Sequence, residues 1–283
     1  MSQRALSRWL PLSALLAQGA TATPAPAPAA ATRDTSKTIW ATPHDSYSSS
    51  IGVLGCKIDT DRVAYWPSSI SCDSICVEVT HSESGRKVKL LRIDQSQGAH
   101  DMSYDAWNYL VTGKSATEDP TAGGTVEMTT KDLDASECAS LIHTSGHKVP
   151  LSAANSMNFL ANCLDNDPDS YVAKNYVLYN IADAICSYGL DEECDLDWPT
   201  ANQATCPHTM GDQSPLDDKT PVYNIRYPTG EKVKAASSQV VVTPGTGDVD
   251  DTGTSDDDDM GVAVRPQNLA LGVAFLAAAF WPW

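Results

Sequence analysis

The chain lacks the short motifs that announce chemistry most directly. It has no G-x-S-x-G elbow, so a serine nucleophile on a strand-to-helix turn has no anchor. It has no phosphate-cradling loop, dinucleotide fingerprint or H-E-x-x-H pair. Cys72-x3-Cys76 and Cys186-x7-Cys194 have no C-x2-C partner, which argues against a structural zinc site. No cofactor and no metal are expected. Sequons for N-glycosylation are absent, although Ser/Thr/Pro-rich flanks leave O-glycosylation open. Basic residues are scarce: 19 Lys and Arg face 36 Asp and Glu, for a net charge of −17. Such a surface repels phosphate backbones, so nucleic acid is excluded as a partner. It also suits a soluble protein in an acidic extracellular medium.

Long apolar runs are missing too. Residues 1–22 carry Arg4 and Arg8, the run LPLSALLAQGA and an Ala20-Thr21-Ala22 site, the layout of a signal peptide. The run falls short of the roughly 20 residues that a membrane span needs. Leu269 to Trp283 is uncharged and apolar over about 15 residues, marginal for a span. A polar spacer and small residues at Gly253–Ser255 and Gly261 precede it, the pattern of a GPI-anchor signal that is removed. A tail-anchored helix is the competing reading. An extracellular protein is expected, held at the cell surface or cell wall by a lipid anchor.

Eight cysteines are present: Cys56, Cys72, Cys76, Cys138, Cys163, Cys186, Cys194 and Cys206. An even count between two processing signals argues for up to four disulfides. Their connectivity does not follow from sequence.

The expected organisation runs as follows. Residues 23–47 form a Pro/Ala-rich linker in which only Ile39-Trp40 could dock on the domain. Ile51–Cys56 and Arg62–Trp66 look like short strands, the second stopped by Pro67. Ile75–Thr80 alternates apolar and polar, HSESG turns, and Lys87–Asp94 returns as a buried strand. Asp101–Ser103 supplies N-cap residues for a helix through Val111, ended by Gly113. Thr125–Met128 completes a sheet. Residues 131–235 carry a short helix at Cys138–His143, a stronger one at Leu151–Leu164 capped by Ser152, and strands at Tyr176–Ile181 and Val222–Tyr227. Residues 236–259 form a disordered acidic stalk, with Val240–Val242 as a possible last strand, and 260–283 the anchor signal. The folded part is one disulfide-stapled domain and a monomer.

The candidate chemistry is a pair of carboxylates. Asp94 ends a buried strand, and Asp101 follows after a glycine-containing loop. Such a pair could share a cleft, one as acid and one as base, as glycoside cleavage requires. Helix capping by Asp101 and loop bonding by Asp94 are the competing structural roles. Tyr65, Trp66, His100, Tyr104 and Trp107 crowd the same segment and could bind sugar, since apolar sugar faces stack on aromatic rings. Core packing competes with that role, most of all for Trp107.

Gly55-Cys56, Asp61–Ala64, Cys72–Thr80, Val88–Asp94, and His100-Asp101-Met102-Ser103 with Ala106-Trp107, in that order, resemble the double-psi β-barrel of expansins, barwin-like proteins and rare lipoprotein A. The resemblance implies a mainly β fold: a six-stranded barrel over 48–130 with short helices and a cysteine-containing C-terminal extension. It makes Asp101 the match for the general acid of related inverting endoglucanases, and Asp94 the strand-end aspartate. It stops near Met128, and no second, carbohydrate-binding domain follows. Pro67 stands after Tyr65-Trp66 where a catalytic base would be expected. The resemblance therefore implies an expansin-like protein of fungal type that binds wall polysaccharide (glucan, chitin or cellulose) without hydrolysis. Two alternatives remain: a glycan-cleaving enzyme with Asp101 as acid and Asp94, Asp61 or Asp73 as base, and a secreted effector or inhibitor scaffold.

Overall fold

The computed structural model describes residues 36–216 and 221–235. The expected signal peptide, stalk and anchor signal lie outside the described residues. Six strands form the first part: β1 (Lys37–His44), β2 (Val63–Trp66), β3 (Cys76–His81), β4 (Lys87–Gln95), β5 (His100–Ser103) and β6 (Val126–Leu133). They close into a barrel in the order β1-β5-β2-β4-β3-β6. The β1/β5 and β2/β4 pairs are parallel and the other four antiparallel. Parallel neighbours cannot be joined by a tight turn, so the connections must cross over. Two such parallel pairs in a closed six-strand barrel make the double-psi arrangement. Closure also leaves none of the six strands with a free edge.

The β3/β4 hairpin follows its hydrophobic alternation. Val77 and Val79 pair with Leu90 and Val88 and are buried, while Glu78 pairs with Lys89 on the other face. Gly85, at φ 70°, makes the turn.

Two expectations in this region are corrected. The linker does not run to residue 47, because Lys37–His44 is a barrel strand. Ile39 and Ala41 point into the core between outward Thr38, Trp40 and Thr42, so the stretch buries apolar surface as a strand does. Asp101 and Met102 do not open the helix either: His100–Ser103 pairs as β5 with β1 on one side and β2 on the other, and only Ser103 stands at the expected N-cap position. The helix, α1 (Tyr104–Thr112), begins one residue later and ends at Gly113 in the left-handed conformation.

After the barrel come β7 (Val149–Ser152), α2 (Met157–Asn166), α3 (Tyr171–Lys174), β8 (Tyr176–Ile181), β9 (Gly189–Cys194), β10 (Tyr223–Ile225) and β11 (Lys232–Lys234). β7, β8 and β9 form a three-stranded sheet, and β10 and β11 a hairpin. The helix expected at Leu151–Leu164 is shifted to Met157–Asn166. Leu151 and Ser152 instead pair with Leu178 and Tyr179, and the Ser152 hydroxyl donates to the Ile181 carbonyl at 2.6 Å. Strand pairing overrode the local helical pattern. Ile51–Cys56 also forms no strand; it contributes one bridge, Val53 to Leu151, and a 3-10 turn at Gly55–Lys57.

Two cores result. One joins Ile39, Ala64, Val77, Leu90, Met102 and Met128 of the barrel to Trp107 and Leu110 of α1. The other joins Val63, Tyr65, Leu91 and Ile93 of the barrel strands to Leu151, Leu160, Val172, Leu178 and Ile181. Disulfides reinforce this second seam: Cys56–Cys186 and Cys72–Cys163 tie the barrel segment to the later elements. Cys76–Cys138 and Cys194–Cys206 complete four pairs and leave no cysteine free. Four disulfides are the framework of a chain folded in an oxidising compartment. Among the described residues no helix is long and apolar enough to cross a membrane, and no acidic, His or Cys group is arranged to hold a metal.

Candidate functional site

Pairing register brings four sequence-distant residues into one row. Tyr65 on β2 pairs with Asp94 on β4, across a bulge, and with Asp101 on β5. Asp101 in turn pairs with Thr42 on β1. Directly paired residues share a sheet face, so Asp94, Tyr65, Asp101 and Thr42 lie side by side. The two aspartates flank Tyr65, two strand spacings apart, or about 10 Å at the backbone.

Their surroundings differ. Asp94 is buried and its acceptor capacity is largely used. It takes the Ser50 amide at 2.8 Å, the Gln95 amide at 2.8 Å, and the Ser48 hydroxyl. This is the loop-bonding role: Asp94 holds the Ser48–Ser50 segment against the end of β4. Asp101 is half-buried and accepts only the Thr42 hydroxyl among the described side chains. Its second oxygen remains for a ligand. Asp73 is placed elsewhere, where it accepts the Tyr171 amide at 2.6 Å.

The aromatic residues expected to bind sugar are placed otherwise than supposed. Tyr104 and Trp107 are each 1% exposed. Trp107 donates its indole N–H to the Ala41 carbonyl at 3.3 Å, and the Tyr104 hydroxyl donates to Thr121 and Pro228 carbonyls. Both are core residues with no free face for stacking, because α1 seals the barrel. Tyr65 and Trp66 are buried as well, Tyr65 under the ring of His44, 4.5 Å away. Burial and the neighbouring Asp94 charge push the Tyr65 phenol well above its ordinary range, so it stays neutral and protonated. His100 is half-buried with its ring 5.5 Å from Trp66.

Two aromatics are exposed among the described residues, Trp40 on β1 at 58% and Tyr188 before β9 at 44%, and Trp40 is the one near Asp101. Alternation along the strand sets Trp40, Thr42 and His44 on one outward face, with Asp101 beside Thr42. Sequence reasoning mentioned Trp40 only as an anchor of a linker. The signal that could have found it is the alternation Thr38-Ile39-Trp40-Ala41-Thr42.

A second acidic site lies nearby. Asp61 sits in a narrow cleft with His44, Tyr47, Tyr65 and Asn224. Burial, then the charges of Asp105 and Asp59, raise its carboxyl to about 6, against the pull of Lys232 and Arg62. Asp105 stays bound to Arg62 at 2.9 Å and to the Ala116 amide at 2.8 Å. The cleft encloses about 10 Å³, room for one water and not for a sugar ring. Asp61 is thus proton-holding but closed to a polymer.

No family model and no curated protein matches this sequence. Among solved structures the chain is similar to cerato-platanin 3 from M. perniciosa, at 13% identity and a TM-score of 0.28. That likeness covers 36% of this chain and 98% of the other.

Proposed function

We propose that the barrel is a non-hydrolytic binding domain for cell-wall polysaccharide, displayed at the cell surface by a GPI anchor. The observation that carries the reading is the outward row Trp40, Thr42, His44 with Asp101 beside it. An exposed indole can stack on the apolar face of a sugar while the hydroxyl and carboxylate next to it bond to sugar hydroxyls. The row follows one strand from exposed Trp40 to half-buried Thr42 and His44, a direction that suits an extended chain more than a single small molecule.

Binding is favoured over cleavage by the state of the carboxylates. Inverting hydrolysis needs an acid and a water-activating base facing one bond. Asp94 is occupied by hydrogen bonds from Ser48, Ser50 and Gln95, and Asp61 is closed to a sugar. Asp101 is then an acid without a free partner. The four disulfides suit the extracellular setting of this reading.

The test is retention on insoluble chitin, β-glucan and cellulose, with reducing-end release measured in the same tubes. Retention on at least one polymer without sugar release is expected. Retention on none would end the reading, and release that disappears in Asp101→Asn would replace it with catalysis.

A further inference from the structure

The outward side of β1 has acidic and uncharged register partners and no basic one. Thr38, Trp40 and Thr42 pair with Thr129, Glu127 and Asp101. Directly paired residues share a sheet face, so Glu127 stands beside Trp40 on the β6 side and Asp101 beside Thr42 on the β5 side. Trp40 is 58% exposed, and Glu127 is exposed with it. Among the described residues the Glu127 carboxylate makes no hydrogen bond or ion pair, and Asp101 accepts from one side chain, Thr42. The nearest lysines along these strands do not balance them. Lys131, in phase with Glu127 on β6, lies 3.7 Å from Glu78, and Lys37 is out of phase with Trp40 on β1. His44 ends the row with its ring against Tyr65.

An exposed indole alone selects no particular sugar, since a pyranose of any kind has an apolar face to stack on it. The charges beside it do select. They repel uronic and other anionic polymers and attract cationic ones. The two carboxylates stand two strand spacings apart with an offset of two residues, so their backbones are roughly 12 Å from each other. One pyranose ring does not span that distance. Two positive groups on different residues of one chain are needed to meet both.

We propose that the Trp40 face prefers a polysaccharide bearing protonated amines, such as a glucosamine polymer, with Glu127 and Asp101 each taking an ammonium group. The inference rests on the polysaccharide reading and narrows it to a cationic chain. In an N-acetylated polymer the same nitrogen is an uncharged amide, which offers either carboxylate a weaker hydrogen bond and no charge. A solvent-accessible ion pair is worth at most about fivefold in affinity, so two of them together give a preference of about tenfold.

The experiment is calorimetric titration in low salt at pH 5.5, where amino-sugar amines are protonated. The titrants are the soluble hexamers of glucosamine and of N-acetylglucosamine, and glucosamine itself. The glucosamine hexamer is expected to bind about tenfold tighter than the acetylated one, and the monomer not measurably. Added salt, or pH 8, where the amines are neutral, should erase the difference. Glu127→Gln should cut the preference about threefold, and Glu127→Gln with Asp101→Asn should remove it. Glu83→Gln takes the same charge from the exposed β3/β4 turn and controls for general attraction to an acidic protein; it should behave as wild type. Glu127 is exposed, so its single variant decides alone if the double variant does not fold. Equal affinity for the two hexamers, binding of neither, or the same loss of preference in Glu83→Gln as in Glu127→Gln overturns the inference. The polysaccharide reading falls separately, through failure to be retained on chitin, β-glucan and cellulose alike.

Discussion

The Thr42 hydroxyl donates to the carboxylate of Asp101, its register partner across the parallel β1/β5 pair. The bond orients one oxygen of Asp101 and leaves the other without a described side-chain partner, while the exposed Trp40 stands two residues from Thr42 along β1. Trp40→Ala should abolish retention on the bound polymer, because loss of a stacking platform removes most of the apolar contact. Stability should change by no more than about 0.5 kcal/mol, as for other exposed positions. A pull-down beside a urea melt checks both. Unchanged retention would remove Trp40 from the site.

Asp94 is expected to matter for folding rather than binding. Asp94→Ala leaves the Ser50 and Gln95 amides and the Ser48 hydroxyl without their acceptor. Orphaned partly buried donors cost about 1–3 kcal/mol each before water compensates, so a loss of about 3 kcal/mol is expected. Chemical denaturation measures it. Retention on polymer, per folded molecule, should stay at the wild-type level.

Much of the barrel was legible because its signals are local. The alternation from Ile75 to Thr80, the turn at Gly85 and the cap at Gly113 each depend on residues a few positions apart. β1 was hidden because the Pro/Ala run before it and Pro43 within it resemble a linker, although Ile39 and Ala41 keep strand alternation. The fate of the aromatics was not legible, since burial of Trp107 depends on the Ala41 carbonyl 66 positions away. The partner of Asp101 lies 59 positions away, and no spacing rule reaches it. The disulfide pairs were beyond sequence for the same reason, with separations of 62 to 130 residues in three of four.

Those separations predict an order of importance. In the chain-entropy model, closing the 130-residue span of Cys56–Cys186 is worth about 5 kcal/mol, and the 12-residue span of Cys194–Cys206 about 3 kcal/mol. Paired Cys→Ser replacement of the first should therefore lower the urea midpoint more than replacement of the second. The first also holds the barrel segment to the later sheet, so its loss should separate their melting transitions. Equal midpoints for the two double mutants would show that native-state contacts, not loop closure, set the seam's stability.

Asp61 gives the fold a pH signature. Its carboxyl is shifted from 3.8 to about 6, so the folded state holds a proton that the unfolded chain releases between those values. The stabilisation is fully present below pH 4 and is lost as pH rises through about 6. At pH 7 the charged carboxylate stays buried beside Asp105 and Asp59, an expense of about 2 kcal/mol after discounting for partial solvent contact. Asp61→Asn carries no charge at any pH and keeps nearly the same shape. The variant should match wild type in melting temperature at pH 4 and exceed it at pH 7, with the gap opening between pH 5 and 7. A gap that is the same at both pH values would mean that Asp61 is ionised throughout, and that Lys232 and Arg62 outweigh its burial.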